Sequence, residues 1–389
     1  MSQGFQKAQP ILDHLKALVS FDTQNPPRAI TAKSDIFEYL QQHLLGFDFQ
    51  IFDAGDGCLS LLATRGKPEL LFNFHIDTVP AAPAWSSDPF ELVLSNGSGD
   101  FDKSEAKVIG LGACDIKGAS ACMLSAVAKT SGDIALLFSS DEEHGSSVAV
   151  KYFLATDHGF KKVIVSEPTG AKAVLAHRGI QSARAIFSGI SGHASEARAF
   201  KDSAIHKSGN WMSDVLKWVE QQTDSFDSLT GLPFNIGKID GGIKANMIAA
   251  NCELSFGFRP LPGQDAKNIL KQLQQLCPQD NNSKNDGEII GGFFGPTLPS
   301  ANQDFDQSIA AAKQLAKDNN LPITKAVNFW TEASLFSEAG LTALVFGPGH
   351  IAQAHTADEW VSLDQLNQVE QLYCQILQQQ NHSSGQTDE

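Results

Sequence analysis

The chain has 389 residues, 42% of them hydrophobic and 19% charged, with a formal net charge of −15. These values describe a globular protein of about two domains, and the acidic balance disfavours nucleic-acid backbones and anionic membranes as partners. No apolar run approaches the ~18 residues of a membrane span, and six scattered cysteines with no CxxC pair fit reduced thiols in the cytoplasm better than a disulfide framework.

In chain order, MSQGFQKAQPILDHLKALVS places Ile11, Leu12, Leu15, Leu18 and Val19 at helical spacing. Polar residues interrupt them, so an amphipathic helix is expected rather than an export signal. Pro26-Pro27 blocks its continuation, and a further helix is expected near 33–44. Short strands near 69–75, 134–139 and 162–166, apolar on both faces, accompany the Ala-rich helix KGASACMLSAVAKT (117–130). That is the pattern of a sheet covered by helices on both sides. After Gly179 the character changes. QSARAIFSGISG reads as a half-exposed strand, WMSDVLKWVEQQ as an amphipathic helix, LPFNIGKIDGG and KANMIAANCELSFGFRPLPG as paired strands, QDAKNILKQLQQL as a helix and EIIGGFF as a strand. This order suits a small α+β domain of ferredoxin-like type, with PQDNNSKNDG (278–287) a surface loop. From about 297 the α/β pattern resumes with the helix FDQSIAAAKQLAKDNN, the buried strand LTALVF and a last helix, DQLNQVEQLYCQILQQQ; the polar end QNHSSGQTDE is expected to fray. The expectation is a discontinuous catalytic domain, 1–178 and 295–389, interrupted by an inserted domain, 179–294.

The chemistry gathers where apolar runs end. LLFNF runs into His75 and Asp77, IALLFSS into Asp141-Glu142-Glu143, KKVIVS into Glu167-Pro168, and LTALVF into Gly347-Pro348-Gly349 with His355 close behind. In open α/β sheets, sites form beyond the carboxyl ends of the strands. Histidine and carboxylate delivered there suit a divalent metal, zinc above all. His75 offers an imidazole, and Asp77, two residues on in an extended chain, is placed to hold its other ring nitrogen. Asp115 sits in the glycine-rich turn IGLGACDIKG, where a carboxylate can bridge two metals. Glu167 is biased to an extended pose by Pro168, and His355 completes a ligand set. In an extended segment Glu142 and Glu143 would project in opposite directions. One can then bind metal while the other faces a water, the division that metal-assisted hydrolysis needs. The spacing leaves open which does which.

Together the segments HIDTVP, GLGACDIKG, SSDEEHGS, VSEPTG, GHAS, FGFRPLP and AQAHTADE resemble the zinc aminoacylase and carboxypeptidase family of di-metal amidohydrolases. VLAHRG, GGIKANMIA, FWTEASLF and AQAHTADE are most similar to its acetylornithine deacetylase and N-acetylcitrulline deacetylase branch. The resemblance spans essentially the whole chain. It implies a zinc-peptidase-like α/β catalytic domain, a mixed sheet covered by helices, with an inserted α+β ferredoxin-like lid and dimerisation domain. It implies that His75 and Glu167 hold one metal, that Glu143 and His355 hold the other, that Asp115 bridges them, and that Asp77 orients His75. Glu142 would be the general base and later the proton donor to the leaving amine. His193, in SGHAS, would polarise the scissile carbonyl, and Asn246 and Arg259 would hold the substrate's α-carboxylate. Apart from the resemblance, Glu332 in FWTEAS is a candidate carboxylate for the distal end of a cationic substrate side chain, or else a hydrogen-bonded loop carboxylate.

The activity so implied is removal of the N-acetyl group from N-acetyl-L-ornithine or N-acetyl-L-citrulline in arginine biosynthesis. The enzyme would be a cytoplasmic homodimer with two Zn2+ per subunit, Co2+ serving as a substitute, and with no nucleic-acid or membrane partner. A dipeptidase or desuccinylase-like hydrolase on the same scaffold is the nearest rival. A metal-stabilised binding protein is the rival of another class; Glu142 speaks against it, because a structural metal site needs no free base beside it.

Overall fold

Every residue of the strands Leu70–His75 and Ile134–Ser139 is buried, which requires cover on both faces of their sheet. The computed structural model describes residues 3–27, 30–96, 106–278 and 287–383. Residues 279–286 of the expected surface loop and 384–389 of the polar end therefore lie outside the described residues. The chain forms two compact units: Met1–Leu175 with Asp306–Thr324 and Thr331–Glu389, and Ala176–Phe305 with Lys325–Trp330.

The first unit is built on a mixed six-stranded sheet in the order Asp48–Asp53, Leu59–Arg65, Ile134–Ser139, Leu70–His75, Lys162–Val165, Thr342–Val345. The first two pairings are antiparallel and the remaining three parallel. Parallel neighbours need crossovers, which are usually helical, and the helices gather in two groups. Gln3–Ser20, Lys117–Val127 and Leu363–Ser383 pack together in one, Val148–Leu154 and Ala333–Glu338 in the other. Ile11, Leu15, Leu18 and Val19 of the first helix all enter the core, as their spacing predicts. Lys117–Val127 is buried at every position. Its small residues let its neighbours approach closely; at Gly118 even a Cβ would stand 2.3 Å from the carbonyl oxygen of Ala113. A separate antiparallel sheet orders Trp360–Ser362, Ala106–Ile109 and Val93–Asn96, which brings the 110–116 turn beside the segment that ends in Glu359.

The second unit carries a four-stranded antiparallel sheet in the order Phe234–Gly241, Asn251–Phe258, Ile180–Ser188, Glu288–Gly295. Of these four, the first and third in chain order, Ile180–Ser188 and Asn251–Phe258, lie at the centre, the arrangement expected of a ferredoxin-like fold. The alternating burial of Asn251–Phe258 shows one face turned inward. There Phe187, Phe256 and Phe258 meet Trp211 and Val215 of the helix Ala204–Glu220 and Leu273 of Ala266–Gln275. Trp211 Nε1 donates to the Leu273 carbonyl, so its buried indole is satisfied. Lys325–Trp330 belongs to this unit because His177 bridges to both Leu298 and Val327 and Arg178 donates to Asn328. These pairings are remote in sequence, and the pattern of apolar residues carried no sign of them. Among the described residues no helix is long and apolar enough to cross a membrane.

Candidate metal centre

The register places His75 opposite Ser139, Asn73 opposite Val165, and Val165 opposite Val345. The carboxyl ends of the four parallel strands therefore lie side by side, and the residues that follow them converge. His75 is 2% exposed. Its Nδ1 lies 3.0 Å from the backbone carbonyl of Asp77, whereas the Asp77 carboxylate is 3.6 Å away. The main-chain carbonyl of Asp77 is thus the nearer partner of Nδ1, with the carboxylate, expected to orient the ring, just beyond it. With Nδ1–H donating there, the Nε2 lone pair is free to face a cation. The Asp77 carboxylate does other work. It accepts from Asn25 Nδ2 at 3.2 Å and from the backbone N–H groups of Glu142 and Glu143 at 3.3 and 3.0 Å.

Those two bonds explain a second departure. Glu142 and Glu143 are in a turn closed by the Gly145 N–H donating to the Glu142 carbonyl, not in the extended segment that the preceding strand suggested. Asp77 captures both amides and bends the chain. The two carboxylates are nevertheless divided. Glu143 Oε1 is 2.9 Å from His355 Nε2, while the Glu142 carboxylate makes no hydrogen bond among the described residues.

Asp115 stands between the two histidines. Its Oδ1 is 3.0 Å from His75 Nε2, and its Oδ2 is 3.5 Å from His355 Nε2. Glu167 Oε1 lies 3.9 Å from His75 Nε2. His355 takes φ +58°, a left-handed conformation uncommon for a side-chain-bearing residue and a recurrent mark of functional sites. His75, Asp115 and Glu143 each offer a donor atom within 4.8 Å of the other two. Ligands at bond lengths of roughly 2.0–2.2 Å around a tetrahedral zinc stand about 3.3–3.5 Å apart, and the separations here bracket that value.

The charges also call for a cation. Asp115, Glu142, Glu143 and Glu167 crowd together with only two imidazoles among them. Burial pushes the Glu142 carboxyl well above its ordinary range, and the charge of Glu143 adds to this. Glu167 is raised likewise by burial and then by Asp115. Glu143 is raised by burial, against the pull of His355. Burial acts upward on Asp115 too, but its bonds to His355 and His75 prevail and hold it low. For His75 burial acts downward; its bonds to Asp115 and Asp77 outweigh it and hold the imidazole well above its usual value. His355 is pushed up to about 10 by its bonds to Asp115 and Glu143. Buried carboxylates that repel one another in this way suit a site for divalent cations, whose charge would offset theirs.

The remaining expected residues fall as follows. In the second unit His193 and Asn246 are neighbours: Gly192–His193 pairs with Met247–Ile248, and the Ala194 N–H donates to the Asn246 carbonyl. His193 is exposed, with Nδ1 2.7 Å from Ser195 Oγ. Arg259 follows the strand Asn251–Phe258, is half-buried, and its guanidinium meets no carboxylate among the described residues. Arg178 donates to the carbonyls of Thr230, Gly231 and Arg259. Glu332 is 1% exposed and accepts from Asn73 Nδ2 and Ser139 Oγ at 2.8 and 3.0 Å. Burial, then Asp141, raises its carboxyl to about 7. Sequence reasoning missed Asn25 and Glu359. The latter closes AQAHTADE, and an acid four residues past a ligand-type histidine was the available signal.

Residues 71–379 match the model of peptidase family M20/M25/M40. The chain is 49% identical over 357 residues to the N-acetyl-L-citrulline deacetylase of Xanthomonas campestris, covering 91% of this chain and 94% of the relative. It is 29% identical over 356 residues to the acetylornithine deacetylase of Proteus mirabilis, covering 86% of each. Its fold is similar to the crystal structure of an M20 family metallo-carboxypeptidase from Sulfolobus solfataricus, with a TM-score of 0.67 and 17% identity over 97% of this chain and 99% of that one. The match to the family model takes in every strand end that carries a candidate ligand, and with the conjunction of histidines and carboxylates found there it establishes that the chain belongs to peptidase family M20/M25/M40.

Proposed function

We propose that this chain hydrolyses the acetamide bond of N-acetyl-L-citrulline, and also of N-acetyl-L-ornithine, releasing acetate and the free amino acid for arginine biosynthesis in the cytoplasm. The observation that carries the reading is the Asp115 carboxylate with its two oxygens turned to different imidazoles, beside a glutamate that is left free. His75 and Glu167 would hold one Zn2+, Glu143 and His355 the other, with Asp115 shared and Co2+ a workable substitute. Bound there, the ions would lower the pKa of a water and act as Lewis acids toward the amide carbonyl.

The chain's own groups supply the rest. Glu142 takes the proton of the attacking water and returns it to the departing amine nitrogen as the C–N bond breaks. Burial and the neighbouring Glu143, which raise its carboxyl, make it a better proton acceptor for that exchange. Asp77 fixes the turn that carries Glu142. His193 donates to the carbonyl oxygen as negative charge develops on it, and Asn246 and Arg259 hold the substrate's α-carboxylate. The inserted domain serves as lid and as dimer contact. Ile190, Phe200 and Ile243, at 62%, 77% and 80% exposure, are an apolar surface that a second subunit would cover.

Identity supports acetylcitrulline as the leading substrate, 49% against 29% for the two relatives. A buried polar group left unpaired by the wrong substrate costs about 1–3 kcal/mol. Comparing kcat/KM for the two N-acetyl amino acids at one pH tests the reading. Turnover of both, with acetylcitrulline at least equal, is expected; rapid acetylornithine turnover with negligible acetylcitrulline turnover would refute it.

A further inference from the structure

We infer that Glu359 is a positioning residue of the metal centre: its carboxylate is the template around which the 110–116 turn closes, and it holds Asp115 in the pose that faces both His75 and His355. This inference rests on the metal-centre reading above.

Glu359 is 2% exposed, and its carboxylate receives three backbone N–H groups from one turn. Oε1 accepts from Cys114 at 2.8 Å and from Asp115 at 2.9 Å; Oε2 accepts from Gly112 at 2.9 Å. The Cys114 and Asp115 amides are adjacent, Ala113 N–H turns back to the Gly110 carbonyl, and the convergence of the three on one carboxylate resembles an anion-binding nest. The nest here is filled from within the protein. Gly112 is at φ +76°, where a Cβ would stand 2.8 Å from Thr78 Cγ2, so the backbone can present its amide in this way only with glycine. The Glu359 carbonyl also accepts the Gly110 N–H, and the next residue, Trp360, pairs with Ile109. The turn is thus gripped at its entrance by the main chain and at its apex by the side chain.

The same segment supplies His355, whose Nε2 is 3.5 Å from Asp115 Oδ2. One short stretch therefore fixes the amide of Asp115 and meets its carboxylate, which couples the spacing of His355 and Asp115 directly. The anchor is costly for mere closure of a loop. It buries a second carboxylate close to Asp115, where a neutral acceptor would avoid the repulsion. No lysine or arginine forms a direct ion pair with it among the described residues; the buried Lys117 feels its charge, but Lys117 Nζ donates to the Phe21 carbonyl. Groups that orient metal ligands in this way typically contribute about 10–100-fold to metal affinity.

The test is titration of metal-free protein with Zn2+ alone against a chromophoric chelator, for wild type and Glu359→Gln. Glutamine has the same size, but half of its head group donates, so at least one of the three amides loses its acceptor. The expected result is zinc binding weakened about 10–100-fold in folded Glu359→Gln, with kcat reduced and KM for the N-acetyl substrate unchanged when metal is saturating. A merely structural role would lower the unfolding midpoint of the apo-protein and leave affinity per folded molecule as in wild type; that result overturns the inference. Should Glu359→Gln not fold, Glu359→Asp, which keeps the charge but withdraws it by one methylene, is read in the same titration, and wild-type affinity there overturns it equally. The titration uses no substrate. Wild type that binds two zinc ions without hydrolysing N-acetyl amino acids would refute the proposed activity and leave this inference standing, whereas wild type that binds no zinc would overturn both.

Discussion

Adjacent glutamates with different neighbours carry the chemical argument at the scale of single residues. Glu143 is 2.9 Å from His355, and Glu142 has no such partner among the described residues. Glu142→Gln should therefore keep its metal and lose turnover by about 10²–10⁴-fold, the usual worth of a positioned general base. Glu143→Gln should lose metal. Metal analysis of the two purified variants checks this, and an emptied Glu142→Gln beside a loaded Glu143→Gln would reverse the assignment. Asp77 makes a second case. Asp77→Asn converts an acceptor of two amides into a group that donates on one side, so the 141–145 turn should shift. The expectation is a loss of about 10–100-fold in activity, with circular dichroism unchanged; wild-type kinetics would show that the turn holds its shape without that carboxylate.

Elements were legible where their signal was local. The apolar runs ending at His75, Ser139, Val165 and Val345 are continuous, and they became the parallel part of the sheet. Helical spacing in Ile11, Leu15 and Leu18 placed the first helix correctly. What was illegible depends on contacts remote in sequence. Asp77 bends the Glu142–Glu143 segment from 65 and 66 residues away, and Glu359 closes the Asp115 turn from 244. A window of neighbouring residues holds no trace of the Asp77 capture, and Glu359 is marked only by its place four residues past His355; the continuing strand suggested the extended chain that Asp77 overrides. The packing of the first two helices gives a further prediction. His14 Nδ1 bonds Tyr39 Oη at 2.9 Å. Burial, then the charge of His43, depresses the His14 imidazole to about 4, against a smaller upward pull from Asp13. A depressed folded value means that the native state binds fewer protons than the unfolded one between about pH 4 and 6.5. Stability is therefore full above 6.5 and falls as pH drops toward 4. Because the ring is partly exposed, solvent screening reduces the effect to on the order of 1 kcal/mol. Denaturant titrations of wild type and His14→Gln at pH 7 and pH 4.5 should show wild type losing more; equal losses would contradict the assignment.

For the molecule as a whole, the proposal divides labour between a unit that holds metal and one that presents His193, Asn246 and Arg259. If the apolar surface at Ile190, Phe200 and Ile243 pairs two subunits, His193 can act on a neighbour's substrate. Mixing inactive His193→Ala and inactive Glu142→Gln subunits should then restore activity, because some sites receive both intact groups; no recovery in verified mixed dimers would confine His193 to its own chain. Amide hydrolysis driven by the cluster of His75, Asp115, Glu143, Glu167 and His355 can be tested more directly. Metal-free protein is titrated with Zn2+ while citrulline release from N-acetyl-L-citrulline is measured. Negligible release is expected without metal, with a rise that saturates at two ions per chain. Full turnover by the metal-free protein, or none at any zinc occupancy with this or any other N-acyl amino acid, would contradict it.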